Sequence, residues 1–306
     1  MFSVDEYAGG RIQVRREALT GIASRISPER IGRNLDLPYA GAPSGDCPFC
    51  PDRVERETPT FTDGTRILRG ESVTFPNLYP FADWHLVTVI TRAHTVERFT
   101  VDQVADALSG LLDGVKGRGG YMSLNWNYLP SAGASIAHPH LQGIADPCPT
   151  SLQGRYLAAS RAYCREHGRS YWADFIEEEA ATDRFLFEDA FPWFASAVPI
   201  GEREVRGILP ASSPADIGPC IRPLARGILR VIDCYRSLGT RAFNMALYCG
   251  TPDDADSFSA VCSIIARLNP NPSSMTDSAF MERLHFEPVV MTLPEEFGRY
   301  FRENGC

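Results

Sequence analysis

The sequence predicts an α+β chain, a largely antiparallel sheet with helices packed on it. Three observations carry that expectation. Short runs rich in β-branched and aromatic residues, bounded by Gly, Pro and Asn, recur along the 306 residues. Segments with the apolar period of a helix separate groups of such runs instead of following every strand. The second half also repeats the order of the first, with strands, a helix, a strand, a turn and a strand. No low-complexity linker parts the two halves, so they are expected to share one continuous sheet. The predicted organisation is a first unit over 1–150, a connecting helical segment over 151–184 and a second unit over 185–306.

The elements follow in order. Residues 11–27 alternate loosely around Leu19-Thr20-Gly21 and read as a hairpin or two short strands. Residues 35–46 form a Pro/Gly loop leading into Cys47-Pro48-Phe49-Cys50. Residues 67–80 hold a strand that ends in the aromatic turn Phe75-Pro76-Asn77-Leu78-Tyr79-Pro80. The β-branched run 85–91 is a strand. Residues 101–115 place Val104, Leu108, Leu111 and Leu112 at helical spacing, with Thr100 or Asp102 available as a cap. Residues 121–128 alternate as a strand and turn back through 129–135. One long helix is expected over 150–179, two or three strands over 184–210 and a helix over 217–238. Strands over 242–248 and 259–268 and a helix over 294–303 complete the chain.

Composition limits the functions available. The formal net charge is −8, so no broad basic surface exists for a nucleic-acid backbone, although a few local arginines can bind a small anion. Neither a charged-then-apolar leader nor an apolar run of membrane length is present, and the expectation is a cytoplasmic protein with no membrane partner. Nine cysteines in a reducing compartment read as buried hydrophobes or free thiols, apart from Cys47 and Cys50.

Three motifs carry chemistry. Cys47 and Cys50 have the spacing of a metal turn or a redox pair; flanking loops and the absence of a thioredoxin-like βαβ pattern favour metal. Further ligands must then come from the six histidines His85, His94, His138, His140, His167 and His285. In an extended 133–142 segment, His138, His140 and Gln142 share one face, and Pro139 confines the segment to an edge or an irregular strand start. Arg30 and Arg33, three apart on one turn, suit a diphosphate.

Taken together, these stretches resemble the galactose-1-phosphate uridylyltransferases, the nucleotidyl-transferring branch of the histidine-triad superfamily. The resemblance runs in register through Leu19-Thr20-Gly21, the 27–33 segment with its paired arginines, Cys47-Pro48-Phe49-Cys50, Phe75-Pro76-Asn77 and Arg92-Ala93-His94. It continues through Asn127 and the signature from Gly133 through Ser135, His138, Pro139 and His140 to Gln142. It implies a duplicated histidine-triad-like fold and one structural Zn2+ per chain on Cys47, Cys50, His94 and His138. Zinc favours such a closed tetrahedral set. It also implies a homodimer.

The chemistry implied is a two-step nucleotidyl transfer. His140 attacks the α-phosphorus of a nucleoside-diphosphate sugar and expels a sugar 1-phosphate. The covalent nucleotidyl-histidine then passes its nucleotide to a second sugar 1-phosphate, with ping-pong kinetics. Gln142 and Ser135 would bond the non-bridging phosphate oxygens, with backbone N–H groups near Gly133, Ala134 and Ser135 adding dipoles. Arg30, Arg33 and Asn127 would hold phosphates and sugar, and Phe75 and Asn77 the base. Two other outcomes fit the residues: a phosphorylase or hydrolase of nucleoside-diphosphate sugars or dinucleoside polyphosphates using the same nucleophile, and a catalytically silent nucleotide-binding protein. Departures from the family pattern lie in the second half. Residues 259–268 carry no histidine for a second metal site, and the hexose-contacting segment falls near 275–285 with Glu282 as the sugar-hydroxyl acceptor.

Overall fold

The structure is a computed structural model and describes residues 1–7, 12–28, 47–115, 117–268 and 277–306. Three strands open the chain, β1 (Phe2–Tyr7), β2 (Ile12–Glu17) and β3 (Ala23–Ile26). They pair antiparallel in a small sheet, and β14 (Val289–Val290) joins β3 in parallel. The hairpin expected over 11–27 is β2–β3, while the strands on either side of it, β1 and β14, are additions that the sequence reading lacked. A short helix, α1 (Val54–Glu57), follows the cysteine turn.

A ten-stranded sheet forms the body of the molecule. Its first five strands are β4 (Ile67–Arg69), β5 (Ser72–Pro76), β6 (Trp84–Val89), β7 (Tyr121–Tyr128) and β8 (His140–Asp146). The other five are β9 (Phe185–Asp189), β10 (Phe191–Ala195), β11 (Val205–Ile208), β12 (Phe243–Tyr248) and β13 (Val261–Ala266). The spatial order is β4-β5-β6-β8-β7-β12-β13-β11-β10-β9, with every pair antiparallel. The halves are therefore two copies of one five-strand arrangement, joined where β7 meets β12. Register supports the equivalence: Val89 faces His140 as Ile208 faces Val261, and Leu124 faces Gly143 as Met245 faces Ile264. The residues taking the places of His140 and Gln142 in the second copy are thus Val261 and Ser263.

Period-2 alternation splits the sheet into two faces. Met122, Leu124 and Trp126 of β7, with Leu141 and Ala145 of β8, point into the main core together with Phe243, Met245, Cys262 and Ile264. Helices α2 (Val101–Val115) and α5 (Ile221–Ser237) bury their apolar stripes in that core. They occupy the same place in each repeat, between the third and fourth strands.

The helix expected over 150–179 is two, α3 (Ser151–His167) and α4 (Tyr171–Glu179). Gly168 adopts φ 70° and returns its N–H to Cys164 O at 2.8 Å, ending α3. Ser170 then caps Trp172 N–H and starts α4. Tyr156, Trp172 and Phe175 from these helices pack on Phe194, Ile208 and Val261, covering the second sheet face over the C-terminal half. Over the N-terminal half the same face holds a cleft. A last helix, α6 (Pro294–Glu303), closes the chain. The strand expected over 67–80 is a hairpin, β4–β5, turned at Gly70. Among the described residues no helix is long and apolar enough to cross a membrane.

Candidate active site and metal cluster

The cysteine turn is fixed by its own backbone and by a small apolar cluster. Cys50 N–H bonds Cys47 O at 3.2 Å, and Arg53 and Val54 N–H return to Cys50 O, which leads into α1. Phe49 and Val54 are buried against Phe75, Val87 and Val89, so the turn is held on β5 and β6. His94 lies in the loop after β6. His138 lies two residues before the start of β8, and the intervening Pro139 O takes the N–H of Ile90.

These placements bring Cys47, Cys50, His94 and His138 together, with their ligand atoms all within 4.8 Å of one another. Cys50 Sγ is 3.5 Å from His94 Nδ1, and His138 Nδ1 is 3.8 Å from each sulfur. A tetrahedral ion with bonds of about 2.3 Å to sulfur and about 2.0 Å to nitrogen separates such donors by roughly 3.5–3.8 Å, so the donor set fits zinc. His138 Nε2 donates to Thr91 O at 2.8 Å, which fixes the tautomer and turns the Nδ1 lone pair toward the sulfurs. Burial and then the neighbouring Cys47 push the Cys50 thiol upward.

Beside this cluster lies a cleft of about 710 Å³, within the range of small-molecule sites. Phe49, Phe75, Asn77, Asn127, Gly133, Ser135, His140 and Gln142 line it, along with Tyr79 and Phe81. His140 is 4% exposed. Its Nδ1 donates to the carbonyl of His138 at 2.8 Å, a bond that leaves the Nε2 lone pair for the cleft. Burial lowers its pKa and keeps the ring neutral. The Phe49 ring meets it edge-on at 5.3 Å.

The turn before His140 is wound by its backbone. Leu129 sits at φ 74° and Gly133 at φ 88°. The first is a conformation that costs a non-glycine residue about 1–3 kcal/mol. Gly133 N–H bonds Pro130 O and Ala134 N–H bonds Leu129 O. Two of the three amides expected to face a phosphate, those of Gly133 and Ala134, are therefore spent inside the turn, and Ala134 is buried. Ser135 is exposed and lines the cleft.

Three carboxamides are oriented by their hydrogen-bond partners. Tyr79 N–H bonds Asn77 Oδ1 at 2.9 Å, so Asn77 shows its NH2 to the His85 ring. Phe81 N–H approaches His85 Nδ1 at 3.4 Å, so the neutral ring carries its proton on Nε2. That N–H donates to Gln142 Oε1 at 2.8 Å, which leaves the Gln142 NH2 for a ligand. Asn127 is handled from the other repeat. Arg267 donates to Asn244 Oδ1 at 2.6 Å, and Asn244 Nδ2 bonds both Ala132 O and Asn127 Oδ1. With its oxygen taken, Asn127 also offers an N–H donor.

Arg30 and Arg33 lie outside the described residues. Glu282 does not join the cleft within this chain: its carboxylate accepts the N–H groups of Ala279 and Val289, tying the single π-turn Met281–His285 to β14. His85 was read only as one of six candidate metal ligands, and Asn244 was not singled out. The only sequence signal for either was alternation, which puts His85 on the face of Gln142 and Asn244 on that of Asn127. Among the described residues Glu57 is the one charged side chain lining the cleft.

No protein-family model matches the chain. An uncharacterized protein of Archaeoglobus fulgidus is 29% identical over 268 residues, covering 84% of this chain and 81% of the relative. A galactose-1-phosphate uridylyltransferase of Hypocrea jecorina is 26% identical over 148 residues, covering 44% of this chain and 38% of its own length. Among solved structures, an ADP-glucose phosphorylase from Arabidopsis thaliana with bound ADP-glucose superposes with a TM-score of 0.76 at 17% identity. It covers 95% of this chain and 99% of that one. A uridylyltransferase superposes with a TM-score of 0.69 at 18% identity, covering 96% and 99%. The fold is that of the galactose-1-phosphate uridylyltransferase-like proteins.

Proposed function

We propose that this protein is a nucleotidyltransferase that moves a nucleoside monophosphate from a nucleoside-diphosphate sugar to a phosphate-bearing acceptor through a covalent intermediate on His140. The observation that carries the reading is the His140 ring itself. Its proton is committed to the His138 carbonyl, so Nε2 faces the cleft as a neutral nucleophile. In the first step Nε2 bonds to the α-phosphorus, the bond to the bridging oxygen breaks, and sugar 1-phosphate leaves with that oxygen. In the second, an acceptor phosphate oxygen attacks the same phosphorus and the P–N bond breaks. Charge builds on the non-bridging oxygens in both, where fixed donors contribute most. Gln142 and Asn127, each presenting N–H, and the Ser135 hydroxyl are the donors, with Arg30 and Arg33 proposed beside them. Phe75 and Asn77 are proposed to hold the base.

Zinc is the proposed ion of the Cys47, Cys50, His94 and His138 set. Four protein ligands leave no open position, so when bound it supplies rigidity near His140 and no activated water. The proposed assembly is a homodimer: Phe280, Leu284 and Phe286 form an exposed apolar group around the π-turn that a second copy would cover. A phosphorylase is the second reading, since the Arabidopsis ADP-glucose phosphorylase shares the fold over nearly all of both chains. Loading the protein from a panel of nucleoside-diphosphate sugars and chasing with sugar 1-phosphate, inorganic phosphate or water separates the two. Release of nucleotide to sugar 1-phosphate supports the transferase, and release to inorganic phosphate the phosphorylase. Failure of every donor to yield sugar 1-phosphate contradicts both.

A further inference from the structure

We propose that His85 is a positioning residue, which holds the Gln142 carboxamide with its NH2 toward the reacting phosphate and ties that amide to the loop carrying Asn77 and Phe81. The inference rests on the nucleotidyl-transfer reading above. His85 stands on β6 and is 3% exposed. It belongs neither to the metal set nor to the cleft lining. A buried histidine with no ion to bind is costly unless its two nitrogens are used.

Both are used here. Nδ1 faces the Phe81 N–H at 3.4 Å, and Nε2 donates to Gln142 Oε1 at 2.8 Å. The Asn77 amide lies against the same ring, 3.4 Å from Nδ1 and 3.1 Å from Nε2. The Phe81 ring meets it edge-on, with centroids 4.2 Å apart. Burial lowers the His85 pKa, against the Gln142 hydrogen bond, and so favours the neutral ring this pattern needs. Strand pairing accounts for the geometry: Val87 faces Gln142 and His85 faces Ile144, so His85 is the same-face diagonal neighbour of Gln142.

A free carboxamide can turn either end to a ligand, and its oxygen would repel a phosphate. His85 removes that choice. It also makes the orientation of Gln142 depend on the 77–81 loop, in which Leu78, Tyr79 and Phe81 are exposed.

The second repeat contains a rearranged version of the same link. Glu204 stands where His85 does and accepts the Ser263 hydroxyl at 2.8 Å, while Arg206, in the place of Val87, donates to the same carboxylate at 2.9 Å. That cluster is buried, with the Tyr156 ring of α3 over Arg206.

The test measures single-turnover nucleotidylation of His140 at saturating donor in three variants. His85→Phe keeps a ring and loses the donor; the rate is expected to fall by ~10- to 100-fold, the scale of a misplaced reacting group, with the donor concentration at half-saturation little changed. His85→Gln, which keeps an N–H near the Nε2 position, restores most of the rate. The double variant with Gln142→Ala is expected to be no slower than Gln142→Ala alone. An unchanged His85→Phe rate, or losses that multiply in the double variant, overturns the assignment. Wild-type protein that never loads nucleotide refutes the functional reading instead. The placement then stands on an activity-free measurement, the imidazole nitrogen shifts of wild-type His85. An Nε2–H tautomer supports it, and an Nδ1–H tautomer overturns it.

Discussion

Replacing Cys47 with serine tests the role of the metal cluster and its size together. The side chain is one of four donors, 3.8 Å from His138 Nδ1, and a serine hydroxyl is a far poorer ligand for zinc. Structural zinc contributes about 10–16 kcal/mol in isolated peptides, but that gross figure cannot all appear here. What the fold can lose locally is limited by what the cysteine turn buries. Phe49 and Val54 are its two apolar anchors on Phe75, Val87 and Val89. At about 1.5–3 kcal/mol each, undocking them costs about 3–6 kcal/mol. For a chain of this size that lowers Tm by roughly 5–9 °C. Metal content by atomic emission and thermal unfolding followed by circular dichroism give both numbers. Cys47→Ser is expected to purify without stoichiometric zinc and to melt early. The reasoning fails if the variant retains one zinc per chain, or if metal-free wild-type protein melts at the same temperature as the loaded form.

Three further expectations follow from the surroundings of the cleft. Asn244→Ala frees the Asn127 amide without touching the cleft, and a lost hydrogen bond of about 1–1.5 kcal/mol should lower kcat/KM by roughly tenfold; steady-state kinetics unchanged from wild type would exclude the β12 contribution. Glu295 accepts hydrogen bonds from Arg15 and Arg184. Burial pushes its carboxyl up, but those arginines outweigh it and hold it below the ordinary range. Its folded pKa is thus depressed, so the stabilisation is complete above the unfolded carboxylate value and lost as pH falls through the folded one. Urea midpoints should drop on acidification below that range, and Glu295→Gln should flatten the drop. Sedimentation should show a dimer that Phe286→Glu dissociates; a wild-type monomer would contradict the proposed assembly.

Much of this molecule is written locally in its chain. The 85–91 run is a strand by β-branching, the 101–115 helix follows from its apolar stripe, and the order of elements announces the repeat. The site was legible where its residues lie close in sequence: Cys47 with Cys50, and His138 with His140 and Gln142. What escaped depends on contacts between distant segments. Strand β14 exists because Val289 and Val290 find the free edge of β3, more than 260 residues away. His85 was read as one of several candidate metal ligands because nothing in its neighbours reveals the Gln142 oxygen across the sheet. The Asn244 support for Asn127 crosses from one repeat to the other. The break between α3 and α4 is different, since Gly168 and Ser170 are ordinary stop and start signals that the long apolar pattern masked.

The most direct measurement is the mass of the protein after incubation with a nucleoside-diphosphate sugar, with the modified peptide mapped. The account expects one acid-labile nucleoside monophosphate on the peptide containing His140, with sugar 1-phosphate released in equal amount. His140→Asn should carry no adduct while still binding nucleotide. An adduct on any other residue, or turnover by His140→Asn, would contradict it.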